Sequence, residues 1–508
     1  MGIGILMALI VLCAGKIVAE DAMEARGLNG FPFFRGAASL AEQEVSDDSL
    51  KVKLSYSVMN QKATVKSAVT AKKGLKQLLY LSGKVSSATD ERWENAKDIT
   101  KDKKFSVKSK GNYSVLAVDE EGNGKAATVS VVMEMKAVWI YFSEINKMAK
   151  TYAKWKNFIN TTFDTCKSNQ MNTVILQVRP CADAMYPSKY YPWSQYATGK
   201  AGENPGFDPL EYAVEAAHDR GLSIQAWVNP YRITLNSTKI SKLPANSIAR
   251  KWANSKGSAK RNVLSVNGAL YFNPASSQVR QLVTNGVKEL VQNYDIDGVH
   301  MDDYFYPSLG VSNVKGFDYK EYTAYIKRCA KNKTSAMSLV NWRRENVNKM
   351  VRKAYKAVKS VDENCVFGIS PAGNLENLYA KNAYFSDVKK WMKSSKYIDY
   401  ICPQLYWSFT QKSAPYKTMV QKWEAIPRSN SVNLYIGLAG YRAGISEREA
   451  RALTDIGWSK SNTILKRQVQ YARNTGEVDG FMIFSYSTFT NSNAKKEVKN
   501  LQKVIGNR

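Results

Sequence analysis

Residues 208–230 read DPLEYAVEAAHDRGLSIQAWVNP. Asp208 ahead of Pro209 predicts a helix start: the carboxylate accepts from the free N–H groups of the first turn, where proline has no N–H to leave unpaired. An amphipathic helical stretch follows, and Gly221 closes it. SIQAWVNP (223–230) then reads as an apolar strand ending in polar and aromatic residues. Helix followed at once by a buried-type strand is half of a βαβ unit. The same grammar extends both ways from this unit. Strand-like runs stand at AVWIYFSE (137–144), TVILQVRP (173–180), SIQAWVNP (223–230), DGVHMDDY (297–304), VFGISP (366–371), IDYICPQLYW (398–407), LYIGLAGY (434–441) and DGFMIFSY (479–486). Helical stretches separate them, among them 155–169 and 276–294. Eight such runs predict an α/β fold of the (β/α)8, TIM-barrel kind over residues 136–508, with chemistry at the C-terminal ends of its strands. A doubly wound sheet would not require eight strands, and the Gly-rich phosphate turn it often carries is missing.

Ahead of the barrel the texture differs. LKVKLSYSV (50–58), KQLLYLS (76–82), KFSVKS (104–109), YSVLAVD (113–119) and AATVSVVME (126–134) alternate with period two, and turn residues such as Glu121-Gly122-Asn123-Gly124 lie between them. This predicts a small all-β, immunoglobulin-like sandwich over 49–135, acting as a spacer or in wall attachment. Residues 20–48 show no sustained period and read as a linker. Residues 1–19 hold a nearly unbroken apolar run, Ile3 to Ala14, with Ala19 before Glu20 as a cleavable small residue. The run is too short to span a bilayer comfortably and suits a secretory signal, although no basic residue precedes it. Export is therefore expected, to the extracellular space or the cell wall, without stable membrane insertion after cleavage.

Lys and Arg number 73 against 44 Asp and Glu, a net charge of +29. That excess suits nucleic acid, an anionic membrane surface or an anionic wall polymer, or a merely Lys-rich solvated surface. The lysines are scattered, with no basic helix or RNA-binding strand, so nucleic acid is not expected. The six cysteines are widely spaced and form neither a disulfide scaffold nor a CxxC zinc site. Only His218 and His300 are present, which disfavours a His-based metal centre. No GxSxG elbow and no Walker loop occurs. No cofactor and no metal are expected.

The strand ends offer Glu144; Gln177 and Arg179; Trp227 and Asn229; His300, Asp302 and Asp303; Asn374; Gln404, Tyr406 and Trp407; Tyr441; and Tyr486. Aromatic faces stack on sugar rings, and amides and Arg match hydroxyls and carboxylates. Glycoside hydrolysis needs two carboxyl groups flanking the scissile bond. His300 and Asp302 share strand parity, whereas Met301 and Asp303 share the other. Asp302 is the first candidate catalytic carboxylate, and Asp303 and Glu144 compete for the second place. A capping or ion-pairing role for Asp303 is weighed equally. Arg179 either holds substrate or pairs within the protein, and Asn229 either binds a hydroxyl or closes the turn before Pro230.

The segments AVWIYFSE, NTVILQVRPCADAMYPSKYYPWS, FDPLEYAVEAAHDRGLSIQAWVNPYR, YFNPASSQVRQLVTNGVKELVQNYDIDGVHMDDYFYP, ISPAGN, YICPQLYW and GFMIFSYS resemble the glycosyl-hydrolase-like family 10 domain of exported bacterial proteins. The resemblance covers about Lys136 to the C-terminus. It implies a TIM-barrel glycoside hydrolase of the bacterial envelope, acting on peptidoglycan glycan strands or a related polysaccharide. A monomer is expected, and the positive charge fits retention on anionic wall polymers. Its WVNPYR and DDYFYP runs add Tyr231 and Tyr304 to the expected binding residues. The alternative is a barrel that binds a surface glycan without cleaving it.

Overall fold

The computed structural model describes residues 43–506 apart from 45–47, 60–61, 108–109, 132, 146–149, 311–313 and 383. The expected signal segment, and the linker up to residue 42, lie outside the described residues. At the linker's far end Gln43 and Glu44 are not free: they pair in parallel with Asn123 and Gly124.

Eight strands close a barrel: β1 (Met135–Ile140), β2 (Thr173–Arg179), β3 (Ser223–Val228), β4 (Gly298–Met301), β5 (Val366–Ile369), β6 (Tyr400–Ile401), β7 (Asn433–Leu438) and β8 (Gly480–Phe484). All are parallel and follow chain order, and β8 returns to β1 with Gly480 opposite Met135 and Phe484 opposite Trp139. Burial on both faces explains why the strands read as nearly continuous apolar runs; all seven residues of β2 are buried. Inward residues, including Ala137, Trp139, Ile175, Trp227, Tyr400, Tyr435 and Met482, make the inner core. Outward ones, such as Val138, Leu176, Ile224, Val299 and Ile436, join a larger core under the helices. Buried Val279, Val283, Val287 and Leu290 of helix Ser277–Asn293 belong to it, each contributing about 1.5–3 kcal/mol by leaving water.

Local rules set the element ends. Asp208 Oδ1 accepts from the N–H groups of Leu210 (3.0 Å) and Glu211 (3.2 Å), and the helix Pro209–Asp219 ends ahead of Gly221 at φ +63°. β6 is short because Pro403 has no N–H for the ladder. β4 stops at Met301, so Asp302 and Asp303 stand just beyond the strand. Gly368 on β5 leaves room for a ring: a Cβ there would lie 1.9 Å from Cζ of Tyr400. A hairpin, Val263–Val266 with Ala269–Phe272, sits in the long excursion after β3. Its turn pair Asn267-Gly268, both at positive φ, is a hairpin signal that a count of eight runs passes over.

The N-terminal unit is all-β. A three-stranded antiparallel sheet, Leu50–Met59, Lys62–Ala71 and Lys104–Val107, faces a five-stranded sheet that includes Leu75–Ser82, Gly111–Asp119 and Asn123–Val131. Leu50, Val65 and Phe105 of the first pack with Leu78, Val115 and Ala117 of the second. Two ion pairs join it to the barrel's N-terminal end. Lys110 Nζ meets Asp479 Oδ1 at 2.7 Å, and Glu134, just before β1, takes a bidentate pair from Arg473 at 2.7 and 2.6 Å. Arg473 also donates to the carbonyls of Val504 and Ile505, tying the last helix to the first strand. No helix among the described residues is long and apolar enough to cross a membrane.

Candidate active site

The C-terminal end of β4 supplies the chemistry. Asp302 keeps the inward parity of His300 and turns towards β3. There Trp227 Nε1 donates to its Oδ2 at 2.9 Å, and Asn229 Nδ2 bridges both oxygens at 3.2 and 3.3 Å. The N–H of Tyr304 donates to Oδ1 at 3.2 Å. Asn229 also closes the turn after β3, since its Oδ1 accepts from the N–H of Arg232 (3.0 Å), while its amide nitrogen is turned to Asp302. Asp302 is 3% exposed. Burial raises its pKa, while the Arg232 charge and the hydrogen bonds from Trp227, Tyr304 and Asn229 act against that rise and favour the carboxylate.

Asp303 leans the other way, towards β6, and is partly buried. Its side chain hydrogen-bonds that of Gln404, whose Nε2 is anchored on the Ser370 carbonyl at 3.0 Å. Its charge reaches the hydroxyls of Tyr384 and Tyr406. Burial, and then the negative charge of Asp302, push the Asp303 pKa up to about 7. Near neutral pH this carboxyl is able to hold and release a proton, while its neighbour is the better-solvated anion in hydrogen-bonding terms.

Aromatic rings form the rim. Phe484, at the end of β8, packs against Tyr141 (5.3 Å between centroids), Tyr441 (5.9 Å) and Tyr406 (6.1 Å). Tyr441 and Tyr304 are 40% and 47% exposed, which leaves ring area for a ligand. The guanidinium of Arg232 lies 4.5 Å above the Tyr304 ring and is fixed by two bonds, 3.1 and 3.0 Å, to the Pro180 carbonyl. Arg232, Tyr141, Tyr384 and Phe484 were not among the candidates read from the strand ends. The WVNPYR run was the available signal for Arg232; the others follow from packing between distant strands.

Several expected residues stand elsewhere. Glu144 is held in place: Oε1 accepts from Ser485 Oγ and the N–H of Ser487, both at 2.7 Å, and Oε2 from the N–H of Tyr141 at 3.1 Å, so it cross-ties the ends of β1 and β8. Gln177, 1% exposed, accepts from the N–H of Phe142. Arg179 does not reach the mouth. A register shift between Gln177 and Arg179 turns it outward, fully buried, with its guanidinium 4.1 Å from the Tyr191 ring and beside Gly286 of helix Ser277–Asn293. Tyr231 is fully buried in the outer core. Asn374 caps helix Leu375–Leu378 through Oδ1. Trp407 packs against the outer core, and Tyr486 meets Phe158 of helix Tyr152–Ser168 edge-on.

His300 lies below the site, inside the barrel. Trp139 Nε1 donates to its Nε2 at 3.0 Å, so Nδ1 carries the hydrogen and donates to Tyr400 Oη at 2.7 Å. Tyr400 passes its own hydrogen to Gln225 Oε1 at 2.5 Å. Burial lowers the His300 pKa to about 3, so the ring is neutral and serves this chain rather than a ligand. Among the described residues no group of three or more His, Cys, Asp or Glu gathers as a metal-ligand set.

A closed parallel barrel with an acidic pair at the end of β4 and an aromatic rim defines a (β/α)8 protein of the glycoside-hydrolase type. The chain belongs to the glycosyl hydrolase-like 10 family, which its residues 134–453 match. It is 35% identical over 379 residues to "Glycosyl hydrolase YngK" of Bacillus subtilis (strain 168), covering 69% of this chain and 68% of that protein. It is 30% identical over 351 residues to "Glycosyl hydrolase DigH" of Escherichia coli (strain K12), covering 66% and 76%. Among solved structures, the PgaB (BpsB) glycoside hydrolase domain from Bordetella bronchiseptica aligns over 74% of this chain and 100% of its own, at 10% identity and a TM-score of 0.45.

Proposed function

We propose that this protein is an exported glycoside hydrolase that cleaves a glycan of the bacterial envelope, peptidoglycan glycan strands or a related polysaccharide. The observation that carries the reading is the pair at the end of β4: a carboxyl group with a pKa near 7 beside a carboxylate held by Trp227, Asn229 and Tyr304. Asp303 donates the proton to the leaving oxygen, and Asp302 supplies the fixed negative charge that an oxocarbenium-like transition state requires. Tyr304, Tyr406 and Tyr441 offer ring faces to sugar units, and Gln404 holds the acid in place. No cofactor enters this chemistry.

Export is supported by the apolar run from Ile3 to Ala14, and residence in the wall by the net charge of +29, which suits polymers carrying phosphate or carboxylate. We read the all-β unit as an immunoglobulin-like spacer, the whole chain acting as a monomer without nucleic-acid partners. The test is release of soluble products from isolated cell walls by the wild type and by Asp302→Asn. Release by the wild type, with a loss of roughly 10²–10⁴-fold in the variant, supports the reading. A variant that cleaves as fast as wild type, or a wild type that binds walls and releases nothing, contradicts it.

A further inference from the structure

Hydrolysis of a glycosidic bond by carboxylates needs groups on both faces of the sugar. Asp302 and Asp303 are consecutive residues beyond one strand, so both approach from the β4 side. Among the described residues, carboxylates that follow other strands are held by partners. Glu144 is bound by three donors, and Asp183 holds its own turn through the N–H of Cys181 and the side chain of Ser194. Glu376 is paired with Lys422, and Asp455 with Ser408. The stretches outside the described residues after β1, β4 and β5, namely 146–149, 311–313 and 383, contain no Asp or Glu. Among the described residues each of these carboxylates already has a partner, so none stands out as a nucleophile or base facing the pair.

The access to Asp302 is equally telling. A carboxylate has about four lone-pair positions. Trp227, Tyr304 and the shared N–H of Asn229 are three donor groups, which leaves one position open. At 3% exposure the carboxylate is closely surrounded, and the remaining position suits one more hydrogen-bond donor.

We propose that the substrate brings the missing nucleophile, and that the site takes a sugar bearing a 2-acetamido group. The proposal rests on the glycoside-hydrolase reading above. Asp303 gives its proton to the glycosidic oxygen as the bond from the anomeric carbon breaks. The acetamido carbonyl oxygen bonds to the same carbon from the opposite face, closing a five-membered oxazolinium ring. Asp302 accepts the hydrogen bond of the acetamido N–H, which orients the group and offsets the positive charge that develops on it. Water then attacks the anomeric carbon, Asp303 takes its proton, and the ring opens to the acetamide. The product keeps the configuration of the substrate, and nothing is oxidised or reduced.

The test uses soluble glycan strands from isolated walls, native and chemically N-deacetylated, with the full-length protein. Native strands are expected to be cleaved with retention of configuration, seen by proton NMR of the first product. The kcat/KM on deacetylated strands is expected to fall at least about 100-fold, because the intramolecular nucleophile is gone. An N-acetylglucosamine-derived thiazoline, a stable mimic of the ring intermediate, is expected to compete with native strands. In Asp302→Asn, kcat should fall with KM little changed. Equal cleavage of deacetylated strands, or an inverted product, overturns the proposal while leaving the hydrolase reading intact. Cleavage of neither substrate overturns the hydrolase reading itself, and the proposal with it.

Discussion

The indole nitrogen of Trp227 stands 2.9 Å from Oδ2 of Asp302, and no comparable donor from β3 reaches Asp303, the next residue along the chain. Two adjacent carboxyl groups thus receive different environments from opposite sides of one strand. One is surrounded by donors, and the other sits against Gln404 and tyrosine rings. Removing the indole donor should raise the Asp302 pKa further and weaken its hold on charge. Trp227→Phe is therefore expected to lower kcat about tenfold, the effect of losing one charge-assisted bond of about 1.5 kcal/mol, with a far-UV spectrum like that of wild type.

The activity should depend on pH in a way set by Asp303. A general acid works while protonated, so kcat/KM should fall as pH rises through about 7. After burial, the charge of Asp302 is the main cause of that raised value. Asp302→Asn removes the charge, and the alkaline limb of its residual activity should move to lower pH. A limb unchanged in the variant would show that another group sets it.

The same raised pKa acts on stability. The folded state binds the Asp303 proton more tightly than the unfolded chain, so the stabilising contribution is present at low pH and is lost as pH rises from about 4 to about 7. Asp303→Asn is accordingly expected to raise the melting temperature at pH 8 while leaving it nearly unchanged at pH 4. Thermal unfolding at the two pH values decides the matter, and a variant less stable at pH 8 contradicts the assignment.

The chain's two histidines should behave differently in NMR titration. His218 is hydrogen-bonded to Asp297 at 3.1 Å, which raises its pKa above the usual histidine value. His300 is expected to keep constant chemical shifts from pH 8 to pH 5, with nitrogen shifts of the Nδ1–H tautomer. Two titrating histidines would break the buried chain from Trp139 to Gln225.

Breaking the buried Glu134–Arg473 pair by Arg473→Met should destabilise the protein by about 3–5 kcal/mol, since a carboxylate would be left without its bidentate partner. Denaturant unfolding measures this. A loss below about 1 kcal/mol would mean that water replaces the guanidinium.

The barrel could be read from sequence because burial on both strand faces writes an unmistakable apolar run eight times, and because Asp208 and Gly221 mark a helix by chemistry local to each. The place of the acidic pair at a strand end was legible for the same reason, since two carboxylates stand directly after an apolar run. What failed depended on geometry that one strand does not encode. Parity alone would put Arg179 inside the barrel, but a register shift turns it out. Tyr231 follows an apolar run and His300 stands near the end of one, yet the first lies in the outer core and the second below the site. Glu144 became a cross-tie only because β8 closes against β1 and brings Ser485 and Ser487 to it. The charge of Arg232 acts on Asp302 from a turn that Asn229 fixes, a relation between elements that no periodicity shows.

The most direct test of the central claim is the release of reducing ends from purified glycan strands by wild type and Asp303→Asn, measured across pH 4–9 with strand binding followed in parallel. The wild type should release them with an alkaline limb near pH 7, and the variant should bind strands as well but cleave them about 10²–10⁴-fold more slowly at every pH. An Asp303→Asn protein that cleaves at the wild-type rate with the same pH profile would contradict the account.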